Sequence, residues 1–401
     1  MSVEHLDIGM YIHDINCGWL DHPFISRNFM INDSDQIDKI KKVGLREVYI
    51  DTDRSKKTAP VESRPVAEVN SEIEDGFLKL AKTDLSDIQS ESPIANFQDE
   101  LGPAKRIIAE SNAIVRNIMA DVRLGRQIQV ERIDPLVEKI SSSIFRNPDA
   151  LSVLTRIKNK DDYTFLHSVS VCALLISFAR YRDLDADKIR AIGQGGLVHD
   201  IGKMRVPDHI LNKPGPLTDA EFDTIKRHPE LGAEILQKTP DIDRIAVDIT
   251  LYHHERYDGS GYPHKRAGLD IPEVARMAAI VDVYDAMTSN RCYKRKMEPT
   301  TALRKIFDWS RNHFDEHLTH LFIRTVGIYP TGTLVRLESG HLAIVTDQDR
   351  QDLLSPTVQT IYDINRKSFV TPRVTDLREV GIRIDRAENP ERWGIDLSLY
   401  I

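Results

Sequence analysis

One segment of the chain, Thr164 to Ala179, is apolar on nearly every side, which is typical of a helix that is buried all round. Such a helix must be enclosed by other elements. The neighbouring residues can supply them, because apolar side chains recur at three- and four-residue steps from about Pro103 to Ile323. The pattern predicts a mainly α fold with a helical bundle at its centre.

Local signals indicate where some of these helices begin and end. A helix is predicted from Lys105 to Leu124, with Gly125 placed to stop it. Residues 218–221, Thr-Asp-Ala-Glu, have the form of a capping box, in which the first and last side chains satisfy free N–H groups at a helix start. They predict the start of the helix that leads to His228.

Two regions with other patterns flank the helical one. The first alternates short apolar runs with turn residues around a predicted helix from Ser34 to Val43, which indicates a small α+β module. A polar stretch follows it, with the composition of a linker and a predicted helix near Glu72 to Lys82. The last region contains three short strand patterns: Thr333 to Leu337, Leu342 to Thr346 and Thr357 to Tyr362.

At 401 residues the chain is too long for one ordinary core. We therefore expect four parts in order along the sequence. They are the α+β module at residues 1–55, the linker at 56–103, the helical domain at 104–325 and a small β-rich appendage at 326–401.

Charge and cysteine content exclude several classes of protein. A formal net charge of -8 favours solubility and argues against a surface that coats DNA. Cys17, Cys172 and Cys292 fit no disulfide framework and are interpreted as reduced thiols. The first ten residues lack the apolar core of a secretory signal, and the longest apolar stretch is about half a bilayer span. We expect a cytoplasmic protein without a DNA partner or a membrane anchor.

Five of the fourteen histidines fall in a pattern with two aspartates. These seven are His167, His199, Asp200, His228, His253, His254 and Asp282. A helical bundle can direct such side chains to one interior point. Imidazole and carboxylate ligands together suit Fe, Mn, Zn or Ni better than Ca or Mg. Seven ligands exceed what one tetrahedral ion accepts, so two ions bridged by a carboxylate are predicted.

Each element of this pattern has an ordinary alternative. A single histidine on an apolar helix, such as His167, is more often a hydrogen-bonded core residue, and the pair His253 and His254 is compatible with a solvated helix end. The adjacent His199 and Asp200 are a stronger signal, because they follow apolar residues and are costly to bury without a partner. The other nine histidines lack such a context and are interpreted as ordinary residues.

Two longer runs resemble a known family. His199 to Lys203, with the sequence HDIGK, resembles the HD signature of the HD phosphohydrolase superfamily. His253 to Pro263 resembles the HHE-xx-DGxGYP signature of its HD-GYP branch. Three more runs match the branch: Asn212 to Leu217, His228 to Gly232 and Asp282 to Ser289. The resemblance covers about residues 151–322, and residues 17–23 are similar to part of a small domain that often precedes HD-GYP domains.

The resemblance implies a bacterial second-messenger enzyme that hydrolyses cyclic di-GMP to pGpG and then GMP, with hydroxide activated by metal ions. It implies a catalytic role for Asp200 as the bridging ligand and for Lys203. One ion would be held by His167, His199, Asp200 and Asp282. The other would be held by Asp200, His228, His253 and His254.

The resemblance also implies the substrate contacts. Lys203 would contact the scissile phosphate, and Arg291 and Lys294 the other phosphate or a guanine. Gly261, Tyr262 and Pro263 would form the loop that names the family. On sequence alone, the basic run from Arg291 to Lys296 is as typical of a solvated surface as of a phosphate site.

One position departs from the family pattern. Members that bind three metal ions have a glutamate four residues before the first histidine, where this chain has Tyr163. The sequence therefore favours two ions. Fe and Mn are the first candidates, and Ni and Zn also accept this ligand set.

Other functions remain open at this stage. The chain could be a receptor that binds a cyclic dinucleotide and signals to a partner protein without turnover, or a phosphodiesterase for a mixed cyclic GMP-AMP dinucleotide. The seven intact ligand positions favour the enzyme. A homodimer is compatible with the sequence, because the helix at Lys105 to Leu124 could dock on its own core or on a second subunit.

Overall fold

The structure of the chain is a computed structural model. It describes residues 1–16, 28–42, 45, 47–56, 64–82, 95–157, 163–215, 217–289, 296–349 and 352–401.

The N-terminal module combines a three-stranded sheet with one helix. Its elements are β1 (Tyr11–Asp14), β2 (Phe29–Met30), α1 (Ser34–Lys42) and β3 (Tyr49–Asp51). The strands pair antiparallel in the order β2-β1-β3, and Ile12, Ile31 and Ile40 are fully buried in a core of the module's own. The predicted α+β character and the helix from Ser34 are confirmed. The Cys17 to Pro23 motif lies outside the described residues.

Helices make up the middle of the chain. The first seven are α2 (Val66–Lys82), α3 (Phe97–Arg123), α4 (Val130–Arg146), α5 (Pro148–Ile157), α6 (Tyr163–Tyr181), α7 (Ala186–Val198) and α8 (Asp208–Leu211). The next six are α9 (Asp219–Ile225), α10 (His228–Gln237), α11 (Arg244–Tyr252), α12 (Glu273–Thr288), α13 (Pro299–Trp309) and α14 (Glu316–Val326). None of the described helices is both long enough and apolar enough to cross a membrane.

Helix α6 is the predicted central helix, and its environment explains its composition. Helices α3, α4, α5, α7, α12 and α14 all contact it. Its residues from Val169 to Ala179 are buried throughout. An element enclosed on every side needs apolar residues on every side, so the prediction is confirmed.

The capping box forms at Thr218 and Glu221, as predicted. The helix that it opens, however, ends at Ile225, and His228 begins a separate helix, α10. Pro229 explains the new start, because proline has no N–H to donate and is favoured in the first turn of a helix. The break places the imidazole of His228 at a helix N-terminus.

Helix α3 begins earlier than the sequence suggested. The Asn96 side chain caps it, and the buried Phe97 and Leu101 lie before Pro103, where the linker was expected to end. The expected boundary at residues 103 and 104 thus falls inside a helix. Gly125, with a φ of 79°, follows its C-terminal end as predicted.

The C-terminal appendage is a five-stranded antiparallel sheet in the order β7-β6-β5-β4-β8. Its strands are β4 (Leu334–Leu337), β5 (His341–Asp347), β6 (Thr357–Asp363), β7 (Ser368–Asp376) and β8 (Ile384–Ala387), with short helices α15 (Leu377–Val380) and α16 (Pro390–Trp393). The three predicted strands are confirmed. The two edge strands β7 and β8 were not predicted, because most of their side chains are exposed and show no apolar alternation.

Candidate metal centre

Five separate helical segments bring the seven predicted side chains together. His167 lies on α6, His199 and Asp200 follow α7, and His228 begins α10. His253 and His254 follow α11, and Asp282 lies on α12. Six of the seven are buried and His254 is half-buried. The predicted convergence of imidazoles and carboxylates on one interior point is what the structure shows.

The side chains form two groups, each with ligand atoms within 4.8 Å of one another. One group contains Asp200, His228, His253 and His254, and the other contains His167, His199 and Asp282. Within the second group, Nε2 of His167 lies 3.0 Å from Oδ1 of Asp282.

Asp200 lies between the two groups. Its Oδ2 is 3.5 Å from Nε2 of His199 and 3.8 Å from Nε2 of His167. Its Oδ1 is 3.4 Å from Nε2 of His228 and 3.9 Å from Nε2 of His253. Each carboxylate oxygen therefore faces a different group, as a bridging ligand requires.

Backbone carbonyls fix the tautomers of three histidines. Nδ1 of His199 donates to Gly196 O at 2.9 Å, Nδ1 of His228 to Ile225 O at 2.8 Å, and Nδ1 of His253 to Thr250 O at 2.9 Å. Because a carbonyl only accepts hydrogen bonds, Nδ1 of each ring carries a proton and Nε2 is the nitrogen left to bind another group. The Nε2 atoms of these rings point into the cluster. An imidazole whose Nδ1 proton is held by an acceptor binds a metal through Nε2.

Two buried atoms of the cluster have no hydrogen-bond partner among the residues that the structure describes: Nε2 of His199 and Oδ1 of Asp200. Unsatisfied buried polar atoms are costly, and native proteins avoid them unless a ligand is involved. The donor set and these two atoms fit divalent metal ions.

Burial and hydrogen bonds shift the pKa values of three histidines of the cluster. Burial lowers the pKa of His228 to about 3 and that of His253 to about 4, so both rings are neutral at pH 7. Burial also acts to lower the pKa of His167, but hydrogen bonds to Asp282 and Asp285 outweigh it and raise that pKa to about 9. A metal ion bound to Nε2 of His167 would have to displace a proton from that ring.

Lys203 forms an ion pair with Asp200. It lies on the 3-10 turn Ile201–Arg205, and its Nζ is 2.5 Å from Oδ2 of Asp200. Burial acts to raise the pKa of Asp200, but Lys203 and His199 lower it well below the usual value. Asp200 is therefore a carboxylate, and Lys203 lies at the edge of the site with 18% of its side chain exposed.

The loop that follows His254 folds back onto it. The ring of Tyr262 stacks on the ring of His254, with centroids 4.7 Å apart and an interplanar angle of 26°. Gly261 packs so closely on the backbone of residues 254–256 that a Cβ there would overlap with it. Pro263 follows Tyr262 through a cis peptide bond. The loop thus lies against the metal cluster, and Gly261 is required by the close approach.

Two buried carboxylates that sequence reasoning had not singled out support the site. Glu255 accepts hydrogen bonds from the N–H groups of His264 at 2.7 Å and Arg266 at 3.1 Å, and so holds the loop after Pro263. Asp285 lies 2.7 Å from Nδ1 of His167. Its signal in the sequence was its spacing. Asp285 follows Asp282 by three residues, which places the two carboxylates on the same face of a helix.

Three predicted positions have no described side chain. Arg291 and Lys294 lie outside the described residues, so their substrate contacts stay predictions. Tyr163 is the first residue of α6, but its side chain is not among those described.

Two protein families match the chain. A domain of unknown function, DUF3391, matches residues 1–133, and the HD domain matches residues 143–318. The HD-domain match contains all seven residues of the cluster. The DUF3391 match extends beyond the N-terminal module through α3.

Several relatives are named as phosphodiesterases of cyclic dinucleotides. The cyclic di-GMP phosphodiesterase PA4108 of Pseudomonas aeruginosa is 38% identical, over 98% of this chain and 92% of its own length. The cyclic di-GMP phosphodiesterase response regulator RpfG of Xanthomonas campestris is 38% identical over 45% of this chain and 48% of its own. The 3'3'-cGAMP-specific phosphodiesterase 2 of Vibrio cholerae is 35% identical over 38% of this chain and 29% of its own.

The full-length match to the Pseudomonas protein, the HD-domain match and the HDIGK and DGSGYP motifs agree with one another. The chain therefore belongs to the HD-GYP branch of the HD-domain phosphodiesterases.

Proposed function

We propose that this chain is a metal-dependent phosphodiesterase that hydrolyses cyclic di-GMP. The observation that carries the proposal is the position of Asp200, whose two oxygens face two separate groups of ligand atoms. A dinuclear site needs one shared ligand, and a bidentate carboxylate between two sets of imidazoles meets that need.

The proposed ligand sets follow the two groups. His167, His199, Asp282 and Asp200 hold one ion, and His228, His253, His254 and Asp200 hold the other. Divalent ions at such a site supply Lewis acidity, which lowers the pKa of water to about 7 in favourable cases and offsets charge on a phosphoryl group. The mixed donor set favours Fe or Mn, with Ni and Zn as alternatives.

Residues of the chain perform the remaining tasks. Lys203 forms an ion pair with Asp200. When the Asp200 carboxylate is bound by other groups, Nζ of Lys203 can donate a hydrogen bond to an oxygen of the scissile phosphate. Gly261, Tyr262 and Pro263 form the wall of the site beside His254. Arg291 and Lys294 are proposed to bind the second phosphate or a guanine.

The choice of substrate rests on the relatives. The Pseudomonas protein, which aligns with nearly the whole chain, is named for cyclic di-GMP, as are the Xanthomonas protein and several others. Relatives named for 3'3'-cGAMP align with less of the chain. Hydrolysis of cyclic di-GMP is therefore the first proposal and hydrolysis of the mixed dinucleotide the second.

Product chromatography tests these proposals. The full chain, loaded separately with Mn²⁺ and Fe²⁺, is incubated with cyclic di-GMP and with 3'3'-cGAMP. We expect pGpG or GMP from cyclic di-GMP with the native chain and with Asp208→Ala, an exposed aspartate outside the cluster, and no product with Asp200→Ala. Faster turnover of 3'3'-cGAMP would favour the second proposal. Binding of cyclic di-GMP without any product would instead indicate a receptor.

Several expectations stay proposals beside this one. They are the cytoplasmic location, the division into four parts, a signalling partner protein and a homodimer. The intact cluster supports the enzyme over the receptor, because a receptor without turnover does not need seven converging ligands.

A further inference from the structure

Asp285 is a fully buried carboxylate on α12 that lies behind the proposed metal ligand His167. Both of its oxygens have partners. Oδ2 lies 2.7 Å from Nδ1 of His167, and Oδ1 accepts a hydrogen bond from the hydroxyl of Ser170 at 2.5 Å. The hydroxyl of Ser289, the residue that follows α12, also donates to Oδ1, at 3.3 Å. The plane of the carboxylate is thus fixed from two sides.

The hydrogen-bond chain continues into a neighbouring helix. The hydroxyl of Ser170 lies 3.1 Å from the hydroxyl of Thr155 on α5. Ser170 is 2% exposed and Thr155 is 6% exposed, so both hydroxyls are buried. Three helices, α5, α6 and α12, therefore contribute to one line of buried polar groups.

The protons available on these groups limit which of them donates to which. An ionised carboxylate can only accept, so the single hydroxyl proton of Ser170 goes to Asp285. Oγ of Ser170 is then left as an acceptor, and the hydroxyl of Thr155 can give its one proton either to it or to the carbonyl of Ser152, each at 3.1 Å. When Thr155 donates to Ser170, the donors run from Thr155 to Ser170 to Asp285, and His167 donates to Asp285 from the other side.

The consequence reaches the metal cluster. With its Nδ1 proton held by Asp285, His167 presents Nε2 to Asp282 and Asp200. Outer partners of this kind fix the orientation of a metal-binding imidazole and raise its basicity. The geometry assigns Ser170 and Thr155 as positioning residues that hold Asp285, and through it His167, in the orientation that binds a metal. This inference rests on the proposed function, because it requires an ion at His167.

The chain offers a matched control. Ser177 lies seven residues after Ser170 on the same helix and is also buried. Its hydroxyl has no hydrogen-bond partner within the described part of the chain. Ser177→Ala therefore makes the same substitution in the same helix without touching the line.

Metal affinity is the measurement that tests the inference. Mn²⁺ binding to the full-length protein is measured by competition with a chelator for the native chain, Ser170→Ala, Thr155→Val, Thr155→Ser and Ser177→Ala. We expect Ser170→Ala to weaken the binding of one of the two Mn²⁺ ions by about tenfold. This is the lower end of the effect that outer hydrogen-bond partners of a metal ligand have on metal affinity. Thr155→Val should act in the same direction, and Thr155→Ser, which keeps the hydroxyl, should restore native affinity.

The outcomes are distinguishable. Native Mn²⁺ affinity in both Ser170→Ala and Thr155→Val, or an equal loss in Ser177→Ala, would overturn the inference while leaving the metal site intact. If Ser170→Ala does not fold, the comparison of Thr155→Val with Thr155→Ser decides in its place. A native chain that binds no Mn²⁺ or Fe²⁺ would overturn both the inference and the proposed function.

Discussion

Asp200 offers one carboxylate oxygen to each half of the cluster, whereas His254 belongs to one half alone. Removing them should therefore have different effects on metal content. We expect Asp200→Ala to lose both ions and His254→Ala to lose one, as counted by elemental analysis of protein purified without oxygen. Equal losses in the two variants would show that Asp200 does not bridge.

The buried histidines also predict how the stability of the metal-free protein depends on pH. His228 and His253 have pKa values of about 3 and 4, so below pH 6.5 the unfolded chain binds protons that the folded chain does not. His167 has a pKa of about 9, so its ion pairs are fully present below pH 6.5 and are lost as pH rises through 9. The contribution of these three groups to the free energy of unfolding therefore has its maximum near pH 6.5.

Urea denaturation of the metal-free protein at pH 4.5, 6.5 and 9 measures this dependence. We expect lower free energies of unfolding at both extremes, and His167→Gln should remove the fall at the alkaline side. An unchanged alkaline fall in that variant would contradict the role given to His167.

At the scale of elements, the turn that carries Lys203 lies directly on the start of α10. Gly202 has no space for a Cβ, which would overlap with the carbonyl of His228 and the N–H of Gly232. Gly102 lies on the exposed side of α3, where a Cβ would meet only the end of the Arg106 side chain, at 4.0 Å, beyond its chain neighbours. The two glycines allow the same substitution to be compared in opposite environments.

We expect Gly202→Ala to destabilise the fold by at least about 1–3 kcal/mol, as overpacking does, and to weaken metal binding by moving His228. Gly102→Ala should instead change stability by less than about 1 kcal/mol, because the preference of alanine for a helix is opposed by contact of its Cβ with the following Pro103. Thermal unfolding measures both. A Gly202→Ala protein as stable as the native one would show that the turn and α10 are not in contact.

Sequence patterns predicted those elements whose signal is local. The all-apolar helix α6 and the capping box at Thr218 were both correctly predicted, because burial and capping depend on a few neighbouring residues. The edge strands β7 and β8 gave no signal, since exposed strands do not alternate.

The sequence predicted the residues of the cluster but not the residues that hold them in position. Imidazoles and carboxylates that converge can be recognised by residue type and motif, and all seven lie together. The roles of Asp285, Ser170 and Thr155 depend on contacts between α5, α6 and α12, which spacing within one helix does not reveal. Long-range packing is therefore what the sequence alone could not supply.

At the scale of the whole molecule, the N-terminal module has its own core and contacts the helical domain through polar groups. Lys305 on α13 lies 2.8 Å from Asp14 of the module. On the same helix, the indole N–H of Trp309 donates to the side chain of Asn16 at 2.8 Å. Lys39 of α1 lies 3.5 Å from Asp219 on α9.

A double-mutant cycle on Asp14→Ala and Lys305→Ala tests whether the ion pair between Asp14 and Lys305 exists in solution. Both side chains are partly exposed, so we expect a coupling free energy of about 0.2–1 kcal/mol in urea unfolding, and a smaller one at high salt. Lys39→Ala with Asp14→Ala is the control pair, because these two side chains contact different helices. A coupling of zero between Asp14 and Lys305 would contradict an ion pair between these two side chains in solution.

The account as a whole depends on two metal ions that share Asp200. Anomalous diffraction from crystals of the iron-loaded full chain, recorded at the iron edge, measures this directly. We predict two peaks about 4 Å apart, one among His167, His199 and Asp282 and the other among His228, His253 and His254, with Asp200 between them. A single peak, or a third one near Tyr163, would contradict the dinuclear site.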